Sequence, residues 1–395
     1  MSHDPKTLRP LTTLVHAGRD PQASFGFVNP PLVRGSTVLH DSVADMRERI
    51  RARNAGEPGR PTYGIWGTPT HEAFYAALNA LEGGFASWAF ASGLAACTVP
   101  ILAFAGAGDH VLVTDSAYGP TRDFCRQVLP RFGVEVSFYD PCIGAELAAQ
   151  FRPNTRLLVL EAPGSHSFEM QDVPLLAGIT RAHGVVSMID NTWATPLHFQ
   201  PLKHGVDVSI HAATKYICGH ADVLMGTVTA NERAWPQLKQ MIAALGQCAS
   251  PDDVYLAHRG LHTMAARLAQ HEATARTLIA WFQGQPEVER VLWPALPEDP
   301  GHALWQRDFG GATGLFGVVL HPQAEERFVA MVDALQLFGR GYSWGGYESL
   351  LIPSFAERAV RPWPYAGRTV RVAAGLEDPA DLIDDLEQAF AKLRG

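Results

Sequence analysis

The sequence predicts an α/β protein: a mostly parallel sheet with helices on both faces, followed by a smaller α+β C-terminal domain. Three observations predict it. Short apolar runs recur roughly every 20 to 30 residues, at 111–113, 134–136, 157–160, 185–189 and 206–210. Helix-like stretches at Gly144–Phe151 and Leu175–His183 separate several of them, the pattern of βαβ units. The runs are nearly unbroken in apolar character, as strands buried on both faces must be.

In chain order, residues 1–60 read as an arm. Arg47-Glu-Arg49 and Arg51-Ala-Arg53 lead into Gly56-Glu-Pro-Gly-Arg60, the composition of a flexible connector. Residues 61–255 hold the recurring strands. From Gly83 to Ala107 no residue is charged, a stretch long enough to span a bilayer. Four glycines and Pro100 within it predict a buried loop and helix instead. A long helical pattern runs from about Tyr255 towards Trp281. Strands at Leu315–Leu320 and Thr369–Ala373 then alternate with helices, ending in an acidic helix over Pro379–Leu393. Residues 256–395 therefore form the C-terminal domain.

Composition narrows the partners. The 395 residues carry 32 Lys+Arg against 40 Asp+Glu, a net charge of −8. Nucleic acid and anionic membrane surfaces are disfavoured, because binding either needs concentrated Lys and Arg. Five widely spaced cysteines without a C-x-x-C argue against a disulfide framework or a zinc knuckle. Met1-Ser-His-Asp-Pro-Lys6 carries no apolar signal region. The expectation is a cytoplasmic protein.

Chemistry gathers where strands end. Asp115-Ser-Ala-Tyr118, Glu161-Ala-Pro-Gly164, Asp190-Asn191 and His211-Ala-Ala-Thr-Lys215 each follow an apolar run. Ligands of open α/β sheets bind beyond the carboxyl ends of the strands, so these segments converge on one edge. Lys215 lies between a strand and a second apolar run, Val223–Met225. A lysine desolvated there could form a Schiff base; the ordinary alternative is a snorkelling strand-end lysine. Asp190, 25 residues earlier, would face the pyridine nitrogen of pyridoxal phosphate, or else simply form a turn. Ser92 and Gly93 open a helix-forming run whose free amides and dipole suit a phosphate dianion, with the Thr214 hydroxyl beside them; an ordinary Ser N-cap is the alternative. Tyr118 could stack on a cofactor ring or fill an interface. Arg371 interrupts a strand-like run, which suits bidentate capture of a carboxylate or an edge-strand charge facing solvent. Other motifs fail. Gly106-Ala-Gly108 precedes a strand, and neither H-E-x-x-H nor G-x-S-x-G occurs.

Together these segments resemble the Cys/Met-metabolism family of pyridoxal-phosphate enzymes. Ala213-Thr-Lys-Tyr-Ile-Cys-Gly-His-Ala-Asp-Val-Leu-Met-Gly226 is similar to its lysine signature, and the similarity runs from Leu14 to Asp378. Gly164-Ser165, Asp190-Asn-Thr-Trp-Ala194 and Tyr342-Ser-Trp-Gly-Gly-Tyr-Glu-Ser-Leu350 place it nearest the cystathionine β-lyase branch. The resemblance implies the aspartate-aminotransferase-like fold (fold type I) and a homotetramer made of two active-site dimers. It implies that Lys215 carries the cofactor and shuttles the α-proton, Asp190 pairs with the pyridine nitrogen, and Tyr118 stacks on the ring. Gly93, Leu94 and Thr214 would contact the phosphate, with Tyr63 reaching it from a neighbouring subunit. Arg371 would hold the substrate α-carboxylate, with Ser343 and Trp344 nearby and Asp123 near the substrate entrance.

The implied reaction is β-elimination from L-cystathionine, or a related cysteine S-conjugate, to a thiol (homocysteine), pyruvate and ammonia, a transsulfuration step towards methionine. Where similar β-lyases often read Tyr-Gly-Arg-Arg-Gly-Thr, this chain reads Tyr63-Gly-Ile-Trp-Gly-Thr68. Ile65 and Trp66 thus replace an arginine at the phosphate and one that meets the distal polar end of cystathionine, removing two charge-assisted contacts. Apolar cysteine conjugates become candidate substrates for that reason. The alternatives are γ-replacement or γ-elimination on an activated homoserine, as in sister enzymes, and a catalytically silent cofactor-binding protein.

Overall fold

The computed structural model describes residues 8–55, 57 and 61–394. The N-terminal stretch Met1–Lys6 and most of the expected connector Gly56–Arg60 lie outside the described residues. Seven strands form the larger sheet: β1 (Ala86–Phe90), β2 (His110–Thr114), β3 (Glu135–Tyr139), β4 (Thr155–Glu161), β5 (Val186–Asp190), β6 (Val208–His211) and β7 (Gly226–Ala230). Their order is β1-β7-β6-β5-β4-β2-β3, with β7 antiparallel to both its neighbours and the other pairs parallel. A second, antiparallel sheet of β8 (Val288–Leu292), β9 (Leu315–Leu320), β10 (Leu350–Ser354) and β11 (Thr369–Ala373) has the order β10-β11-β9-β8. The predicted α/β class and the smaller α+β unit are both present.

The helices are α1 (Pro10–His16), α2 (Val43–Ala55), α3 (Pro69–Glu82), α4 (Gly93–Phe104), α5 (Gly119–Asp123) and α6 (Val173–Ala182). They continue as α7 (Thr195–His198), α8 (Trp235–Ala244), α9 (Pro251–Gln283), α10 (His302–Asp308), α11 (Glu325–Ala334) and α12 (Pro379–Arg394). Helix α9 starts cleanly: the Ser250 hydroxyl accepts the Asp252 amide at 3.2 Å, Pro251 takes the first position, and Asp252 and Asp253 complement the dipole. One apolar cluster packs α4 and α8 against the large sheet, and another joins that sheet's opposite face to the small sheet. A third lies among α3, α9 and the residues around Lys215.

Several expectations are corrected. The uncharged stretch from Gly83 to Ala107 contains β1 before α4, because Trp88 and Phe90 suit a buried strand better than a loop. No helix among the described residues is long and apolar enough to cross a membrane. Val223–Met225 is not a strand: pairing of Phe90 with Gly226 starts β7 there, and the run before it is irregular chain with Val223 and Met225 buried and Leu224 exposed. Gly144–Gln150 forms 3-10 turns rather than an α-helix. The arm contains α2, whose Arg49 meets Asp45 at 2.9 Å and Arg51 meets Glu48 at 2.7 Å. Position 255, expected to divide two units, falls inside α9.

Candidate active site

The excursion between β6 and β7 carries Lys215. Its Nζ donates to Ser343 Oγ at 2.6 Å and lies 5.6 Å from the centre of the Trp344 ring. Burial and the nearby Arg371 charge lower the lysine to about 8, against a smaller opposing pull from Asp190. The loop holding Ser343 is strained, with Ser343 itself at φ 79°. It can approach this closely because Gly345, at φ 81°, has no Cβ; one would sit 3.1 Å from the Tyr216 amide nitrogen.

Arg371 reaches the same loop from β11 and donates to the Ser343 carbonyl at 2.9 Å. Burial pushes it down to about 10, with Tyr118 and Tyr342 partly opposing. Among the described residues no carboxylate pairs with it. Asp190 ends β5, and its Oδ1 accepts the Thr192 amide at 3.0 Å and the Thr192 hydroxyl at 2.5 Å. Its Oδ2 takes a 3.8 Å contact from the Cys97 thiol on α4.

Ser92 caps α4 by accepting the Ala95 amide at 3.1 Å, while its carbonyl accepts Ala96. The Gly93 and Leu94 amides remain at the open end of the helix. A Cβ at Gly93 would lie 2.7 Å from the Ala212 Cβ, so glycine lets this helix end meet the start of the lysine excursion. The Thr214 hydroxyl donates to the Met225 carbonyl at 3.1 Å and accepts its amide at 2.9 Å. Tyr118 follows β2 and is 42% exposed; burial of the remainder, with Cys97, Asp190 and Glu161 nearby, raises its hydroxyl above the usual range.

The structure thus gathers Lys215, Thr214, Asp190, Tyr118, Gly93, Leu94, Arg371, Ser343 and Trp344. Asp123 lies on α5, held by Arg126 at 2.7 Å. Tyr63, Ile65 and Trp66 sit elsewhere in the chain. Tyr63 is half-exposed and Ile65 lies beside Gly246. Trp66 packs against the α4–α8 cluster with the Arg53 guanidinium 4.6 Å above its ring.

Sequence reasoning gave no role to three residues near these groups. Glu161 lies opposite Asp190 in the parallel register and accepts the Tyr118 amide at 2.7 Å; burial and Asp190 push its carboxyl well above the usual range. Its place at a strand end was a usable signal. Cys97 and His166 gave none, because packing alone brings them here.

Residues 11–391 match the description Cys/Met metabolism PLP-dependent enzyme. The chain belongs to that family. A putative cystathionine beta-lyase of Rhizobium johnstonii is 49% identical over 385 residues, covering 96% of this chain and 95% of that protein. Cystathionine beta-lyase MetC of Escherichia coli K12 is 42% identical over 390 residues, covering 97% and 98%. The crystal structure of metB from Corynebacterium glutamicum superposes with a TM-score of 0.90 at 31% identity, covering 99% of this chain and all of that one. As a member of this family the enzyme depends on pyridoxal phosphate. The donor set fits that group: a lysine of lowered pKa, a carboxylate on a nearby strand end, two unspent helix amides, and a buried arginine without an anion.

Proposed function

We propose that this family member is a carbon–sulfur β-lyase that cleaves L-cystathionine or a related cysteine S-conjugate to a thiol, pyruvate and ammonia. The observation that carries this reading is the joint hold of Ser343 on Lys215 and Arg371. It brings a base from the β6–β7 excursion and a carboxylate anchor from β11 together at one loop, the pair of groups an α-amino acid requires. The named relatives at 49% and 42% identity support the same reaction.

Pyridoxal phosphate, when bound, supplies a carbonyl carbon for an amine and a ring that accepts the electrons of a carbanion at Cα. Gly93 and Leu94 amides would hold its phosphate, with Thr214 beside them, and Tyr118 would cover its ring. Asp190, oriented by Thr192, would keep a proton on the ring nitrogen. Lys215 Nζ, half neutral near pH 8 and largely neutral above it, would take the Cα proton; Ser343 Oγ orients it. Arg371 would fix the α-carboxylate and Trp344 would exclude water beside the lysine. Tyr63, Ile65 and Trp66 would complete a neighbouring subunit's site, and Asp123 would stand at the entrance. That arrangement supports a homotetramer of two active-site dimers, as do the exposed Phe25 and Leu39, 95% and 86% accessible.

The test is product analysis on cofactor-loaded enzyme supplied with L-cystathionine. Pyruvate and homocysteine are expected. Release of 2-oxobutyrate, or a thioether product from an activated homoserine, would replace the β-lyase reading with the γ-reaction; no product from enzyme that keeps the cofactor's visible absorbance would leave a silent cofactor-binding protein.

A further inference from the structure

Arg371 on β11 lies opposite Ile352 of β10, and Ser354 lies opposite Thr369. Paired residues and those two apart share a face of a sheet, so Arg371, Ile352, Ser354 and Thr369 look the same way. The loop that follows β4 comes down on this face. Phe168 packs over Gly317, the residue paired with Arg371 on β9; a Cβ there would meet the ring at 3.0 Å. His166, in the same loop, shares a 2.7 Å hydrogen bond from Nδ1 to Ser354 Oγ.

Both loop residues hold left-handed backbone, φ 60° at His166 and φ 57° at Phe168. Such conformations are costly for a non-glycine residue and persist only where the surroundings fix them. Burial and the Arg371 charge lower the His166 imidazole to about 4, so it is neutral near pH 7. The neutral ring carries a single proton, and in the tautomer where the Ser354 hydroxyl donates into Nδ1 that proton sits on Nε2. Among the described residues nothing accepts that proton.

We propose that His166 is a second donor to the substrate's α-carboxylate, its Nε2–H directed by Ser354 onto the anion that Arg371 receives. A neutral imidazole adds a hydrogen bond without placing a second positive charge against Arg371. The proposal deepens the β-lyase reading and rests on its placement of the carboxylate at Arg371.

Glycine binding to the cofactor-loaded enzyme, titrated by visible absorbance with methylamine as the carboxylate-free control, tests it. His166→Ala is expected to weaken glycine about tenfold, the scale of a hydrogen bond to a charged group, and to leave methylamine unchanged. His166→Gln, which keeps an N–H, should recover most of the loss. Ser354→Ala retains the ring but frees its tautomer, and should weaken glycine about threefold. Glycine binding unchanged in His166→Ala, or glycine and methylamine weakened alike, overturns the proposal. If Arg371→Ala leaves glycine binding unchanged, the carboxylate does not sit there and the proposal also falls. Pyruvate release from cystathionine, measured in parallel on the unaltered enzyme, decides the β-lyase reading separately.

Discussion

Two groups of buried cations in this molecule are treated in opposite ways. Arg122 and Arg358, each with a side chain 5% exposed, close on Asp115 at 3.4 and 3.1 Å. Arg358 and Arg361 also pair with Glu169; burial works upward on that carboxyl, but the two guanidiniums hold it below its usual range. Asp115 further accepts the Ala359 and Val360 amides at 2.7 and 3.1 Å, tying the 355–361 segment down. Lys215 and Arg371 are also largely buried, yet each hydrogen-bonds only to neutral atoms of Ser343. Desolvating a charge costs several kcal/mol unless a counter-charge answers it. The first group answers it within the chain. The second leaves it open, and that openness marks the site.

The largest test of this contrast is Lys215→Ala, expected to lower the β-elimination rate by about 10³-fold or more and to abolish the absorbance of the lysine-bound cofactor. Turnover and spectrum both retained would show that the open cation is incidental. Asp115→Ala strands the buried Arg122 guanidinium, leaves Arg358 to Glu169 alone, and should reduce unfolding stability by about 3–5 kcal/mol in urea titration. A loss under about 1 kcal/mol would erase the difference between the groups. Arg371→Ala should do the reverse, lowering kcat/KM about 100-fold while stability holds or rises.

Lys215 sharpens the comparison through pH. Its native pKa of about 8 lies below the ordinary 10.5, so the unfolded apoenzyme binds more protons between those values. Stability must therefore rise with pH across that window. Apo Lys215→Met should be more stable than the unaltered apoenzyme by up to about 3 kcal/mol at pH 7, the gap closing towards pH 10.5. The smallest effect belongs to Arg53, a half-way case that rests on a ring and not on an acid. Arg53→Ala removes the cation from the Trp66 ring and should cost about 0.5–1 kcal/mol of stability in urea titration.

The sheet and the main site were legible because parallel strands announce themselves as apolar runs and their carboxyl ends gather chemistry. Lys215, Asp190 and Arg371 each sit where a run ends or is broken. β7 was misplaced since Gly226-Thr-Val-Thr-Ala230 is less apolar than Val223-Leu-Met225 just before it, although Leu224 points to solvent. β1 was hidden by the small residues around it. The residues that tune the site were illegible for another reason. His166 meets Ser354 across 188 positions, and Arg53 meets Trp66 only because α2 folds back over the turn. Such meetings are set by packing, which no local pattern records.

Helix α9 has a mechanical consequence. Its 33 residues extend about 50 Å. Leu261, Met264 and Leu268 lie in the cluster beneath the lysine excursion, whereas Ala275, Leu278 and Phe282 lie in the core of the small sheet. A single rod bolted into both lobes forbids a hinge at position 255 and makes the gap between Lys215 and Arg371 a fixed gauge. That gauge fits the one part every α-amino acid shares. Discrimination among thioethers must then come from the far end of the ligand, where loops and other chains, not the frame, set the boundary.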